Sequence, residues 1–182
     1  QGALDMPGVI LPRKAVAEMR KLIDEGEEDI EVGLSDTKIK FSFDGTALTS
    51  KLIDGTFPDY DRVIPDNNDK VLEVDAHLFS QAVDRVSAIS NEKSRSVKLS
   101  VSKGSLILSA NSAENDSATE ELQVDYHEVE MEIGFNSRYL LDIAQQIEGK
   151  RIRFTLANSS SPTLIEDLED QGALYVLMPM RV

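Results

Sequence analysis

The side chains that could do chemistry are few and scattered. Two histidines, His77 and His127, are not at metal-ligand spacing, and the chain has no cysteine to complete a thiolate site. Serines gather at 159–161 and recur at Ser87, Ser90, Ser94 and Ser96, but none sits in a G-x-S-x-G elbow. Phosphate-cradling loops of the GxxxxGK[ST] or GxGxxG kind are missing. The densest set of hard oxygens is Asp54, Asp59, Asp61, Asp66 and Asp69. A divalent cation could use such ligands, although Pro58 and Pro65 interrupt a spacing that is not that of an EF-hand. No nucleophile–base pair emerges, which argues against an enzyme. The other chemistry-bearing stretch is apolar: "YVLMPMRV", residues 175–182, sets two methionines around a proline. Methionine is flexible and polarisable and adapts to apolar partners of differing shape. Pro179 forfeits a backbone donor and suits a strand end or edge.

Charge narrows the classes further. The 182 residues carry a net charge of −14, which is not the footprint of a protein that grips phosphates over its whole surface. The distribution is uneven. "RKAVAEMRK" (13–21) holds four bases and one acid, whereas "DEGEEDIE" (24–31) holds six acids and reads as a solvated loop. No apolar run reaches the roughly 18 residues of a membrane span. The lack of cysteine fits a reducing compartment. The opening Gln1 suggests a processed or truncated chain.

The elements that must position these groups repeat. Segments beginning at Val9, Val71 and Met131 each open with a short extended run, then place Pro12, Asp75 or Asn136 where a helix starts. Apolar residues then fall at helical spacing: Val16, Met19, Leu22 and Ile23; Leu78, Ala82, Val83 and Val86; Leu140, Leu141, Ala144 and Ile147. Strands follow each helix, with turns at Ser35-Asp36, Asp44-Gly45, Lys103-Gly104, Asn158–Pro162 and Asp170–Gly172. The unit is strand–helix–strands, and it predicts an α+β fold with helices on one face of antiparallel sheets. The turn-rich segment 54–70 reads as a linker, so residues 1–60 form a partial domain and 61–182 a complete one. Two repeats make the complete domain. The first repeat is expected to be half of another, whose partner lies before Gln1.

Four ordered stretches carry a resemblance: "SKLIDGTFPDYDRVIP" (50–65), "ISNEKSRSVKLSV" (89–101), "MEIGFNSRYLLD" (131–142) and "YVLMPMRV" (175–182). Together they resemble the bacterial DNA polymerase III beta subunit, the replicative sliding clamp, over essentially the whole chain. The resemblance implies the second half of the clamp's middle domain followed by its C-terminal domain. It implies a non-catalytic cytoplasmic processivity factor, closed head to tail as a homodimer ring around duplex DNA, with no cofactor. Polymerase subunits, the clamp loader and repair proteins would dock by short motifs typified by glutamine followed by leucine and phenylalanine.

Carried over by position, the peptide pocket comprises Pro58, Arg62, Val63, Asn136, Tyr139, Ser160, Pro162, Val176, Met178, Pro179, Met180 and Arg181. Ser160 and Pro162 depart from the family pattern and reshape the rim. Arg13, Lys14, Arg20 and Lys21 would face DNA, with Arg85, Arg138, Lys150 and Arg151 as weaker candidates. Ala88 and Ile89 would anchor the subunit contact, with Glu114, Asp116, Glu120 and Glu121 meeting bases on the partner. Strand alternation sends Val176, Met178 and Met180 to one face and Leu177 to the other. Two other readings stay open: a metal-dependent enzyme on the aspartate-rich linker, and an interaction domain without a DNA role.

Overall fold

The computed structural model describes residues 6–23, 29–90, 95–112, 116–170 and 172–181. The chain divides into two compact units, Gln1–Asp59 and Tyr60–Val182.

In the first unit, helix α1 (Arg13–Ile23) precedes strands β1 (Glu31–Leu34), β2 (Lys38–Phe43) and β3 (Thr46–Lys51), which form an antiparallel sheet in that order. Pro12 stands immediately before the helix, where a missing N–H costs nothing. Its carbonyl accepts from the amides of Ala15 and Val16 at 2.9 and 3.2 Å. Ala15 and Met19 turn inward, and Arg20 and Lys21 close the last turn, where cations suit the helix dipole. The β2–β3 hairpin turns on Asp44 and Gly45, both at positive φ (41° and 68°), the geometry whose twist matches the flanking strands.

The second unit holds two repeats: β4 (Lys70–Asp75), α2 (Ala76–Ser87), β5 (Ser96–Ser102), β6 (Ser105–Asn111) and β7 (Ser117–Gln123), then β8 (Met131–Asn136), α3 (Ser137–Ala144), β9 (Arg151–Leu156), β10 (Thr163–Asp167) and β11 (Leu174–Leu177). This is the α+β architecture that the repeat pattern predicts. Each helix starts where its strand ends, because the last strand residue is also the cap. Asp75 Oδ1 accepts from the Leu78 amide at 2.8 Å, and Asn136 Oδ1 from the Arg138 amide at 3.0 Å.

The repeats do not form one sheet each. The sheets run β11-β10-β9-β4 and β7-β6-β5-β8, so each repeat lends its first strand to the other's sheet. A single core lies between them. Leu72, Phe79, Leu99, Ile133, Phe135, Leu140 and Phe154 are all at most 1% exposed, and Phe79 meets Phe154 edge-on with centroids 5.1 Å apart.

One detail recurs three times. Ile10, Glu73 and Gly134 each stand three residues before a helix, and each forms an isolated antiparallel bridge, to Ile53, Asp125 and Met180 respectively. These residues fix the alignment of all three repeats.

The structure differs from the sequence expectation at three points. The run opening at Val9 is not a strand; it makes only the Ile10 bridge among the described residues. Ile147 lies beyond the end of α3, just past the turn at 145–146. β7 was not expected, because "SATEELQ" carries one buried side chain, Leu122, and pairs along its length through backbone bonds to β6.

Candidate functional site

The apolar tail leaves the edge strand of one sheet and reaches the edge strand of the other. Thr163 pairs with Leu177, so Pro162 and Met178 lie at the same end of the β10–β11 pair. Regular pairing stops at Leu177, and two residues beyond the strand stands Pro179. The chain then re-engages at Met180, whose amide donates to the Gly134 carbonyl at 2.8 Å on β8. The inward residue is Leu177, 6% exposed, whereas Met178 is 62% exposed; Val176, Pro179 and Met180 are half-buried and Arg181 is exposed. The 178–180 segment is therefore an apolar surface held at both ends by backbone pairing.

The neighbouring elements carry other predicted residues. Asn136 ends β8 and caps α3, two residues along the strand from Gly134, and Tyr139 projects from the first turn of α3, 57% exposed. The Pro162 carbonyl accepts from Asn68 Nδ2 at 2.9 Å; the same amide group donates to the Thr155 carbonyl at 2.7 Å, tying the chain before β4 to β9 and β10. Ser160 is exposed on a turn closed by Asn158 Oδ1, which accepts from the amides of Ser160 and Ser161 at 2.9 Å each. Arg62 and Val63 belong to a 3-10 turn, Tyr60–Val63, with Val63 56% exposed. Tyr60, on the same turn and as exposed as Met178, was not singled out from the sequence. Pro58 is exposed and belongs to the first unit.

Among the residues expected to face DNA, Arg13, Lys14 and Arg20 are exposed on α1, and Lys21 pairs with Glu18 at 3.2 Å. Repeat alignment places Lys14, His77 and Arg138 at one helix position, the second residue of each helix, and all three are exposed. The sequence shows His77 only as a histidine without ligand spacing; the alignment of repeats gives it the helix position that Lys14 and Arg138 hold in the other two. Arg85 is engaged elsewhere: its guanidinium holds both oxygens of Glu120 on β7, with the Nε–Oε2 bond at 2.9 Å. That bond holds the Glu120 carboxyl below its usual range. Arg151 meets Glu73 at 3.1 Å and Lys150 is exposed.

Of the predicted subunit-contact residues, Ala88 is the exposed C-cap of α2, and Ile89 is half-buried against the core. Asp116 is exposed, Glu121 accepts from the Ser105 hydroxyl at 2.7 Å, and Glu120 is the partner of Arg85. Glu114 lies outside the described residues. The aspartates of 54–69 gather no cation cage: among the described residues no group of three or more His, Cys, Asp or Glu side chains could hold a metal. No helix of the described residues is long and apolar enough to cross a membrane.

A domain of two strand-exchanged repeats, with the same repeat in a preceding unit and an apolar surface at its C-terminal edge, has clear relatives. Residues 61–181 match the family described as DNA polymerase III beta subunit, C-terminal domain, and residues 1–59 match its central domain. The chain belongs to the DNA polymerase III beta subunit family. It is 52% identical over 182 residues to the beta sliding clamp of Caulobacter vibrioides and 43% identical over 180 residues to that of Escherichia coli K12. These alignments cover 100% and 99% of the chain and 49% of each relative, so the chain spans about half their length. A solved Caulobacter crescentus pol III beta superimposes with a TM-score of 0.94 at 52% identity, over 100% of this chain and 49% of that one. A sliding clamp from Bartonella birtlesii, solved bound to griselimycin, superimposes with a TM-score of 0.93 at 52% identity, over 97% and 48%.

Proposed function

We propose that this chain is part of a sliding clamp subunit: a non-catalytic protein, working in the cytoplasm, that closes as a homodimer ring around duplex DNA. Its family membership supports the reading, and so do the exposed cations at the shared helix position. Residues 1–59 serve as a half of the middle domain and residues 61–182 as the C-terminal domain. The ring confers processivity on the replicative polymerase. An acidic protein suits this task, because topology retains the DNA and weak, screened contacts let it slide. Arg13, Lys14, Arg20, Lys21 and Arg138 face the duplex. Ala88 and Ile89, with the acids of 114–121, meet the neighbouring subunit.

Polymerase subunits, the clamp loader and repair proteins dock short linear motifs on the tail surface, built from Val176, Met178, Pro179, Met180 and Arg181 with Pro162, Ser160, Asn136 and Tyr139. Arg62 and Val63 extend it. The observation that carries this is an apolar segment left exposed at Met178 while its neighbours are pinned by backbone pairing at Leu177 and Met180. A pre-formed apolar surface loses little entropy when a peptide binds. The test is a fluorescence-polarisation titration of a labelled peptide bearing glutamine, leucine and a terminal Leu-Phe against this chain and its Met180→Ala variant. Saturable binding weakened by the substitution is expected. Binding that ignores Met180→Ala, or no binding at all, overturns the assignment of the tail.

A further inference from the structure

Within the second unit, the end of α2 and the start of α3 enclose a cavity of about 350 Å³. Ser87, Ser90 and Ser137 stand on its wall with Arg95 and Arg138, and Asp142 lines it one turn along α3 from Arg138. The three serines differ in what their hydroxyls do. Ser87 Oγ donates to the Asp84 carbonyl at 3.0 Å, and Ser90 Oγ to the Ser87 carbonyl at 2.8 Å. The Ser137 hydroxyl bonds to nothing among the described residues, although the residue is only 4% exposed. Among those residues Thr163 Oγ1 is the one side-chain polar atom both sealed from solvent and without a partner. The Ser137 hydroxyl is therefore not sealed, and the space it reaches is the cavity it lines. In the other repeats the first helix residue is Arg13 or Ala76, and Ala76 is buried there without a hydroxyl. Packing alone does not call for a serine. A nearly buried donor without a partner is costly, so a partner in the cavity stabilises it.

The charges point to the kind of partner. Arg138 and Asp142 have the spacing at which opposite charges pair on a helix, yet they form no ion pair. The exposed Arg138 guanidinium makes no hydrogen bond among the described residues, and Arg95 brings a second guanidinium to the wall. The backbone at this helix end is already spent. The Ser137 amide donates to the Arg95 carbonyl at 2.8 Å, and the Arg138 amide to Asn136 Oδ1 at 3.0 Å. An anion here is gripped by side chains and not by the helix end. We propose that this cavity binds one phosphate group, supplied by the backbone of the encircled duplex. The choice of DNA as the source rests on the clamp reading above, which turns the helix position of Arg138 to the duplex; the chemistry of the site does not. Ser137 donates to one phosphate oxygen, while the guanidiniums meet the charge in the forked geometry that suits phosphate. Asp142 opposes the anion from the same wall. It keeps the grip weak, as a contact that must let go of a sliding duplex requires.

The test is an amide NMR titration of the isotope-labelled chain at low salt, with inorganic phosphate and with a short duplex oligonucleotide as separate probes. Both are expected to shift the Ser137 and Arg138 amides, phosphate saturably. Ser137→Ala, which copies the second repeat, is expected to fold normally by circular dichroism and to weaken phosphate binding by roughly fivefold or more. Arg138→Gln is expected to weaken both probes and to lower the salt slope of duplex binding by about one. Asp142→Asn is expected to strengthen both. Lys103→Gln removes one exposed charge on the β5–β6 turn and is expected to leave phosphate binding unchanged. Phosphate that shifts neither amide, or that responds equally to Ser137→Ala and Lys103→Gln, overturns the site. Duplex shifts on α1 and α2 that spare the cavity overturn this proposal and leave the clamp reading standing. Phosphate shifts in the cavity with no duplex response anywhere overturn DNA as the source and count against the clamp reading as well.

Discussion

Leu177 and Met178 are adjacent in sequence and opposite in environment, and truncating each to alanine should separate stability from binding. Leu177 is 6% exposed within the core of the second unit. Removing its buried methylenes costs about 2–5 kcal/mol, or roughly 10 °C in the melting temperature of a unit this size. Met178 is 62% exposed, so its truncation should change stability by less than about 0.5 kcal/mol. The same exposed three-fifths of the side chain is what a docked peptide would cover. Full burial of a methionine is worth about 1.5–3 kcal/mol, so covering that fraction contributes roughly 1–2 kcal/mol, a factor of about 5–30 in Kd. The assay pairs thermal melts followed by circular dichroism with the peptide titration. Met178→Ala should melt like the parent and bind more weakly, whereas Leu177→Ala should melt early. If Met178→Ala lowers the melting temperature as far as Leu177→Ala, or leaves peptide affinity unchanged, the division into an inward and an outward face is wrong.

Three further substitutions probe the scaffold behind that surface. Asp167 accepts from the amides of Glu169, Gly149 and Glu148 at 2.8, 2.8 and 3.1 Å, and these bonds, Glu169's first, hold its carboxyl below the usual range. A depressed carboxyl stabilises the fold at neutral pH and stops doing so as pH falls through its folded-state value. The melting-temperature advantage of the parent over Asp167→Asn should therefore shrink as the buffer is taken below the ordinary carboxylate range. Gly149 has no room for a side chain, since a Cβ there would collide with the Asp167 carboxylate, so Gly149→Ala should destabilise by about 1–3 kcal/mol in urea titration. Thr163 Oγ1 is buried without a hydrogen-bond partner, and Thr163→Val, which keeps the shape, should be neutral or stabilising by up to about 1 kcal/mol in the same titration.

What the sequence revealed was local. Asp44-Gly45 announces a hairpin because only certain residues adopt its two positive φ values, and Asp75 and Asn136 announce helices because their short side chains bond the first amides. Alternation likewise separates Leu177 from Met178. The hidden features depend on partners far along the chain. Nothing in β4 states that it lies against β9, some 80 residues away at the Glu73–Arg153 bond, rather than against its own repeat. Arg85 and Glu120 appear in sequence as two separate surface charges, one suited to DNA and one to a subunit contact. Folding brings them onto each other, because α2 lies over β7. β7 is concealed because its ladder is made by backbone groups, which carry no side-chain signature.

The exchange of first strands also governs how this domain can be made. A polypeptide emerges from the ribosome N-terminus first, and local hairpins such as β5–β6 can pair as soon as they appear. β4 cannot: the strand it rests against is synthesised after both helices. The growing chain must therefore carry the apolar face of β4, with Leu72 and Val74, uncovered through most of the domain's synthesis. Met180, whose bridge to Gly134 fastens the last open edge, arrives later still. A nascent chain stalled anywhere before β9 should thus be a client for holding chaperones, and release from them should coincide with the appearance of β9 rather than with any earlier element.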